Sequence, residues 1–326
     1  MREGKEEQAT NPLQYVFGPV RSGRLGVSLG LDLLGARICT FDCLYCEAGV
    51  TEALTTARKP YVSARRILDE LAAWKAASHA LPDVVTLGGL GEPCLNADLG
   101  EIIAGAKELF PDIPVAVLTN SSLLPDPDVR GALLAADIVL PSMDTLVEAE
   151  YRLINRPHAD IGLDAIRQGL LDFRASYGGS IFLEVLLLAG INDTAANLDL
   201  LRVFCRELAP ERVDVVTMSR PGAHRGAAAV SRETLARFRQ ALGGVPEADA
   251  RAGAEDGHGP AALASRHAQE LAARIAASVA RRPQTEEGLA TGLGVPVEHV
   301  RQALRALLRD GAVRKERAND DFFYSG

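Results

Sequence analysis

A chain of 326 residues has room for one large domain or two of ordinary size. With 47% apolar and 24% charged residues it has material for a core, which excludes a wholly disordered chain. The net charge of −8 is uneven: the first 259 residues carry 25 Lys/Arg against 35 Asp/Glu and the remainder 10 against 8, so strong binding of bare nucleic acid is not expected of the larger part. The longest apolar stretch, 181–191, is broken by Glu184 and falls short of the ~20 residues of a membrane span. The segment MREGKEEQAT has no apolar run and predicts no secretory signal. Five cysteines, three of them within eight residues, fit a metal or catalytic role in a reducing cytoplasm better than a disulfide scaffold.

In chain order, apolar runs predict strands over 26–31, 84–88, 115–119, 138–143, 181–188 and 213–218. Helix-period segments at 63–78, 96–109, 161–176 and 195–208 alternate with them. Ser63 and Thr194 are candidate N-caps, and Pro111 closes the second helix. Strands buried on both faces and alternating with helices predict a parallel sheet with right-handed crossovers. Six such units are too few for a closed eight-stranded barrel. The fold class is therefore α/β, a partial (β/α)6 TIM-like barrel with its site at the C-terminal ends of the strands. Residues 243–263, rich in Gly, Ala and acid, read as a linker. Helical segments at 264–280, 285–291 and 297–309 follow, then a hairpin over 311–324 turning at Asn319-Asp320. That order predicts a winged helix-turn-helix domain over 264–326, after a core over 1–242.

The chemistry concentrates in Cys39-Thr40-Phe41-Asp42-Cys43-Leu44-Tyr45-Cys46. One C-x3-C-x2-C with no fourth Cys or His nearby leaves a coordination position open. A [4Fe–4S] cluster with three ligated irons fits that count, and a zinc site completed from afar or a set of packed thiols are the alternatives. Tyr45 places an aromatic ring beside the third cysteine. At the end of the second predicted strand, Gly88-Gly89-Leu90-Gly91-Glu92-Pro93 offers close backbone approach and a carboxylate. Thr119, Asn120, Ser142 and Asp144 end the next two strands, where they serve equally well as loop caps. Glu184 puts a charge in a buried strand and needs a partner or ligand. Cys94 and Cys205 read as packed thiols.

The octet, the Gly91-Glu92-Pro93 region and their order resemble the radical S-adenosylmethionine (SAM) enzymes. The resemblance implies a partial barrel with a [4Fe–4S] cluster on Cys39, Cys43 and Cys46, and SAM bound at the open iron. Reductive cleavage would then yield a 5′-deoxyadenosyl radical that abstracts hydrogen from a substrate. By the same resemblance Tyr45, Gly89, Gly91, Glu92, Thr119, Asn120, Ser142, Asp144, Glu184 and Met218 are candidate cofactor-binding residues. An electron donor, a flavodoxin or ferredoxin, is the implied partner. The stretches 15–26 and 137–158 are similar to a subgroup related to tRNA-wyosine synthases. Arg21, Arg24, Arg156 and Arg220 become candidates to hold an anionic group, with Arg156 and Arg220 in catalytic positions; surface arginines are the alternative in a chain with so many. The archaeal wyosine synthases need extra N-terminal cysteines and an active-site lysine. Residues 1–38 contain no cysteine, and Lys59, Lys75 and Lys107 follow no strand end, so that particular reaction is not expected.

In the C-terminal domain, Arg301, Arg305 and Arg309 form one stripe, joined by Arg314, Lys315 and Arg317 on the hairpin. The stripe suits nucleic acid, while the acids among it suit peptide or protein docking. RNA modification, peptide modification and small-molecule chemistry are all open as the reaction. The competing function is a cluster-bearing, DNA-binding transcriptional sensor without turnover.

Overall fold

The computed structural model describes residues 13–77, 81–220, 222–244, 266–318 and 321–326. It opens with the antiparallel pair β1 (Val16–Ser22) and β2 (Gly26–Asp32), then the short parallel pair β3 (Ile38–Cys39) and β4 (Ala53–Leu54) that brackets the cysteine loop. Next come α1 (Ala64–Ala77), β5 (Val84–Gly88), a 3-10 turn (Pro93–Leu95), α2 (Leu99–Leu109), β6 (Val115–Thr119), α3 (Pro127–Leu133) and β7 (Ile138–Pro141). Then follow α4 (Glu148–Ile154), α5 (Leu163–Ser176), β8 (Ser180–Leu187), α6 (Ala195–Leu208), β9 (Arg212–Thr217) and α7 (Arg232–Leu242). The final elements are α8 (Arg266–Arg281), α9 (Glu286–Leu293), α10 (Val297–Arg309), β10 (Arg314–Ala318) and β11 (Asp321–Ser325).

Seven strands share one sheet in the order β1-β2-β5-β6-β7-β8-β9. From β2 to β9 the six strands are parallel neighbours in chain order, each reached through helix, which gives the expected α/β half-barrel. Every predicted strand is present within one or two residues. The largest change is at β7, which ends at Pro141 rather than Met143. Ser142 still donates its N–H to the Thr119 carbonyl at 2.9 Å, so the strand end stays tied to its neighbour. The second helix starts late, at Leu99. Glu92 first caps the 3-10 turn, and the buried Asn96 amide is held by the Leu33 and Val62 carbonyls at 2.7 and 2.8 Å. The edge strand β1 is not visible in the sequence pattern. Gly18 and Pro19 break its alternation, and the register shifts between Phe17 and Val20.

The outer helices pack as amphipathic elements should. In α6 the buried Leu201, Phe204, Cys205 and Leu208 recur at helical spacing, so Cys205 is a core thiol. Thr194 caps that helix, accepting from the Asn197 N–H at 3.1 Å. At α1 the Ala64 N–H goes instead to the Asp98 carboxylate at 3.1 Å. On the concave side Val84, Ala116 and Leu140 fill the floor of the half-barrel against Phe182 and Leu25.

Helices α8, α9 and α10 and the β10–β11 hairpin gather around a separate core of Ile275, Val279, Leu289, Val300, Leu304 and Tyr324. This unit lies against β1. A Cβ on Gly292 of α9 would meet the Pro19 carbonyl oxygen at 2.6 Å, so only glycine allows that approach. Apart from Gly243 and Gly244, the expected linker lies outside the described residues, as does the expected turn at Asn319-Asp320.

One contact inside this unit makes a prediction about pH. Burial works to raise the Glu286 carboxyl, but hydrogen bonds from the Tyr324 hydroxyl (2.6 Å) and the Arg301 Nε (2.6 Å) outweigh it and hold the group below the usual carboxylate range. A carboxyl depressed on folding contributes stability above its unfolded pKa and loses it as pH falls through the folded value. The protection of β11 amides, measured relative to the intrinsic exchange rate at each pH, is therefore expected to fall on acidification in wild type. That pH dependence should flatten in Glu286→Gln; an identical profile in both would refute it.

Candidate functional site

The cysteine loop is fastened to α4 and the turn after it. The N–H groups of Asp42 and Leu44 donate to the Asn155 and Ile154 carbonyls at 3.1 and 2.9 Å. Tight turns from Cys46 back to Cys43 (3.2 Å) and from Gly49 to Cys46 (3.3 Å) hold the rest of the loop. Each sulfur is supplied with donors. The Asn120 amide lies 3.4 Å from the Cys39 sulfur and the Asn155 amide 3.6 Å from that of Cys43. Backbone N–H groups of Phe41 and Thr40 point at Cys39, and those of Ala48 and Gly49 at Cys46. Burial, with Glu92 adding to it, pushes the Cys39 thiol up to about 12, and burial pushes Cys43 and Cys46 up as well. Thiols this desolvated ionise when a cation takes their charge, and the surrounding N–H donors are those a charged sulfur requires. Soft sulfur donors of this kind fit an iron–sulfur group. Among the described residues no three His, Cys, Asp or Glu side chains converge on a single-ion position; a cluster, which takes each thiolate on a different iron, does not need such convergence.

The glycines beside the loop are sterically required. Gly89 has φ +113 against the Asp32 side chain, and a Cβ on Gly91 would sit 1.8 Å from the Ile38 carbonyl oxygen. Gly91→Ala must therefore push the Glu92 loop away from β3. Its expected effect is a stability loss of about 1–3 kcal/mol with weakened SAM binding, read by denaturant titration and calorimetry. Unchanged SAM affinity would contradict this.

Glu92 is 1% exposed. Its carboxylate accepts from the Cys94 N–H (3.0 Å), the Thr119 hydroxyl (2.7 Å) and the Asn120 N–H (2.7 Å). Burial raises its pKa and these bonds pull it back. The Cys94 thiol reaches the carboxylate as well, so four donors of the chain hold it. Glu92 thus also fixes the end of β6, which delivers Asn120 to Cys39. Cys94 is buried with its sulfur 3.5 Å from the Thr119 hydroxyl, a packed thiol.

Asp144, after β7, plays the same part across the loop. It accepts from the Tyr45 hydroxyl (2.6 Å), the Asn155 amide (2.8 Å) and the Leu186 N–H (3.0 Å). Ser142 adjoins it, its carbonyl accepting from Ser121 at 2.8 Å. Ser121 (φ 69) and Arg156 (φ 48) both hold left-handed backbone next to this network.

Glu184 faces the concave side and ion-pairs with Arg24. Arg156 and His224 both reach Asp42, at 3.2 and 3.1 Å, and Arg220 reaches Glu47 at 2.9 Å. Met218 is half-buried beside Gly222. Arg21 stands in β1 opposite Val27. Of the sequence-predicted residues, Glu92, Thr119 and Asn120 gather beside Cys39, and Tyr45 and Asp144 beside Cys43; Glu184 and Arg24 form one separate pair, and Arg220 pairs with Glu47, which the sequence does not single out. Asn155, Asp42 and Asp32 escape sequence reasoning although each lies in or next to a quoted motif; His224 and Arg281 carry no local signal.

The sequence model of the radical SAM superfamily matches residues 33–196, which include the cysteine loop, the Glu92 turn and strands β5 to β8. This chain belongs to the radical SAM superfamily. The family works with a [4Fe–4S] cluster and SAM, needs an electron donor, and consists of enzymes. A GTPase Obg of Brachyspira hyodysenteriae is 32% identical over 95% of this chain and 45% of its own length. A UPF0026 protein of Methanocaldococcus jannaschii is 35% identical over 64% of this chain and 65% of its own. The chain thus spans less than two thirds of either relative. A radical SAM methyltransferase from Sphaerobacter thermophilus shares the fold with a TM-score of 0.50 at 18% identity, over 66% of this chain and 62% of that one. None of these relatives supports the transcriptional sensor. No helix among the described residues is long and apolar enough to cross a membrane.

Proposed function

We propose that this radical SAM protein is an enzyme with one [4Fe–4S] cluster on Cys39, Cys43 and Cys46 that acts on a substrate carrying an abstractable hydrogen. The observation that carries the reading is the set of three half-buried thiols in one loop, two of them facing the Asn120 and Asn155 amides, beside the turn that Glu92 holds. When bound and reduced, the cluster supplies the electron that cleaves SAM to methionine and a 5′-deoxyadenosyl radical.

The chain's own residues do the positioning. Glu92 holds Thr119 and Asn120 at the end of β6 and places a carboxylate charge beside the site where an ammonium would bind. Gly89 and Gly91 bring backbone close to the ligand. Tyr45, tied to Asp144, keeps the cysteine loop closed on the strand ends. In this reading Ser142, Met218 and Glu184 are further cofactor contacts, and Arg156 and Arg220 are the catalytic candidates, tied to Asp42 and Glu47.

The three-helix unit with its hairpin is read as a winged helix. Arg301 of its basic stripe is already engaged by Glu286 (2.6 Å) and Glu298 (3.4 Å), which favours peptide or protein docking over nucleic acid. A flavodoxin or ferredoxin as reductant and a cytoplasmic location complete the proposal. The stretches 15–26 and 137–158 favour the wyosine-synthase-like subgroup, without its lysine-dependent reaction.

The test is anaerobic reconstitution followed by SAM and dithionite. 5′-Deoxyadenosine and methionine should appear in equal amounts by mass spectrometry. A cluster-loaded protein that leaves SAM intact would refute the reading.

A further inference from the structure

Two carboxylates bracket the end of the cysteine loop, Asp42 immediately before Cys43 and Glu47 immediately after Cys46. Negative charge there works against a thiolate. Burial pushes the Cys46 thiol up, and Glu47 and Asp42 both add to that push. Each of the two carboxylates meets an arginine from outside the loop. Arg220, after β9, lies 2.9 Å from Glu47, and Arg156, in the turn after α4, lies 3.2 Å from Asp42 Oδ2.

Asp42 is held by more than its arginine. His224 Nε2 lies 3.1 Å from the same Oδ2, and the Thr51 N–H donates to Oδ1 at 3.0 Å. Arg156 Nη1 stands 3.4 Å from His224 Nδ1. A guanidinium only donates, so Nδ1 accepts and the ring proton sits on Nε2, which donates to Asp42. Two close approaches bring the segment after β9 into place. The His224 backbone N–H donates to the Leu44 carbonyl at 3.2 Å. A Cβ on Gly222 would sit 2.9 Å from that same oxygen and 2.9 Å from Tyr45 Cα, so glycine lets the segment lie on the loop. Arg156 takes left-handed backbone at φ 48, which a non-glycine residue keeps only where its surroundings impose it. At 46% exposure its ion pair contributes little to stability. Its effect lies in local charge, which sets a cluster's potential together with hydrogen bonding and solvent access.

We propose that Arg156, His224 and Arg220 form a charge-compensating brace on the cysteine loop, positioning residues that offset Asp42 and Glu47 beside the cluster and raise its reduction potential. The assignment rests on the cluster reading of the three cysteines. Arg156 and Arg220 then bear on the reaction through the loop's carboxylates, which narrows the role of these two catalytic candidates to positioning. His224 joins them as a residue of the same brace.

The experiment measures the midpoint potential of the [4Fe–4S]2+/+ couple in the cluster-loaded full chain, without SAM, by a redox titration followed by electron paramagnetic resonance. Arg156→Ala leaves the Asp42 charge without its cation and is expected to shift the potential to a more negative value. His224→Ala should shift it in the same direction by less, because the ring brings a dipole and no charge. His224→Gln, whose amide N–H takes the place of Nε2–H, should recover the wild-type value. Asp42→Asn should shift the potential the other way, and adding His224→Ala to Asp42→Asn should then change nothing further. Arg152→Ala, at a 59% exposed position on α4, is expected to have no effect. In the cluster-free chain, amide exchange over residues 40–47 should be about fivefold faster in His224→Ala than in wild type, the loss of one hydrogen bond of ordinary strength. The proposal is overturned if Arg156→Ala leaves the potential unchanged or moves it positive. It is equally overturned if His224→Ala has the same effect with Asp42 and with Asn at that position. Iron loss in the variants without a shift in potential would leave these contacts a structural role only, and would overturn it too. A wild-type chain that takes up no cluster would overturn the cluster reading, whereas unchanged loop exchange in the cluster-free His224→Ala chain would overturn the brace alone.

Discussion

Cys43→Ala is expected to lower iron from about four atoms per chain to near zero and to reduce 5′-deoxyadenosine release at least about 100-fold. Three thiolates are the minimum that leaves one iron open, so losing one removes a third of the protein's hold on the cluster. The Cys43 sulfur is also the one the Asn155 amide faces at 3.6 Å. Asn155→Ala, which keeps all three thiols, should weaken cluster retention by about 10–100-fold, the usual cost of removing a partner behind a ligand. Cys205→Ala is the control, because its thiol packs in α6 far from the loop and should leave iron content unchanged. Anaerobic iron and sulfide assays with cluster absorbance read all three. Equal iron in Cys43→Ala and wild type would show that this thiol is not a ligand.

Arg281→Ala is expected to be the most destabilising single change outside the cysteine loop. Arg281 is 8% exposed and its partner Asp32 is fully buried. Burial pushes the Asp32 carboxyl up, while Arg281 and the N–H groups of Leu34, Gly35 and Leu90 pull it down. Asp32 thereby ties the base of the cysteine loop to the glycine turn, and Arg281 supplies the opposite charge that offsets its burial there. Removing one partner of a buried pair costs about 3–5 kcal/mol. The packing of Arg281 on Phe17 is lost as well. Denaturant unfolding should show this loss in Arg281→Ala and a much smaller added loss when the change is made in Asp32→Asn. Amide exchange along β1, where α9 rests, should rise with it. Equal losses in both backgrounds would mean that the pair does not couple.

How much of this was legible in the sequence follows from how local each interaction is. The cysteine octet is readable because its ligands must lie within one loop. The six parallel strands are readable because burial on both faces forces near-continuous apolar runs, from which each strand end could be placed within a residue or two. Thr119, Asn120 and Asp144 stood out as polar residues at such ends. Their actual work, holding Cys39, Glu92 and Tyr45, depends on which strands are neighbours, and local pattern does not encode that. Strand β1 was hidden because its Gly-Pro step interrupts the alternation. The pairing of Arg281 with the barrel was hidden for another reason: its contact with Gln14 joins residues 267 positions apart. An arginine at the end of an amphipathic helix looks like any solvated cation until the surface it meets is known. The C-terminal basic stripe shows the converse, since Arg301 is charged in sequence but already engaged by Glu286 and Glu298 in the fold.

The central claim is that Cys39, Cys43 and Cys46 leave one iron open and that SAM takes it. Electron paramagnetic resonance of the dithionite-reduced, cluster-loaded chain, recorded with and without SAM, tests this most directly. The account predicts a [4Fe–4S]+ signal whose g-values shift when SAM is added, with the shift lost or weakened in Glu92→Ala. A signal that SAM leaves unchanged in wild type would mean that the fourth iron is closed, and would contradict the account.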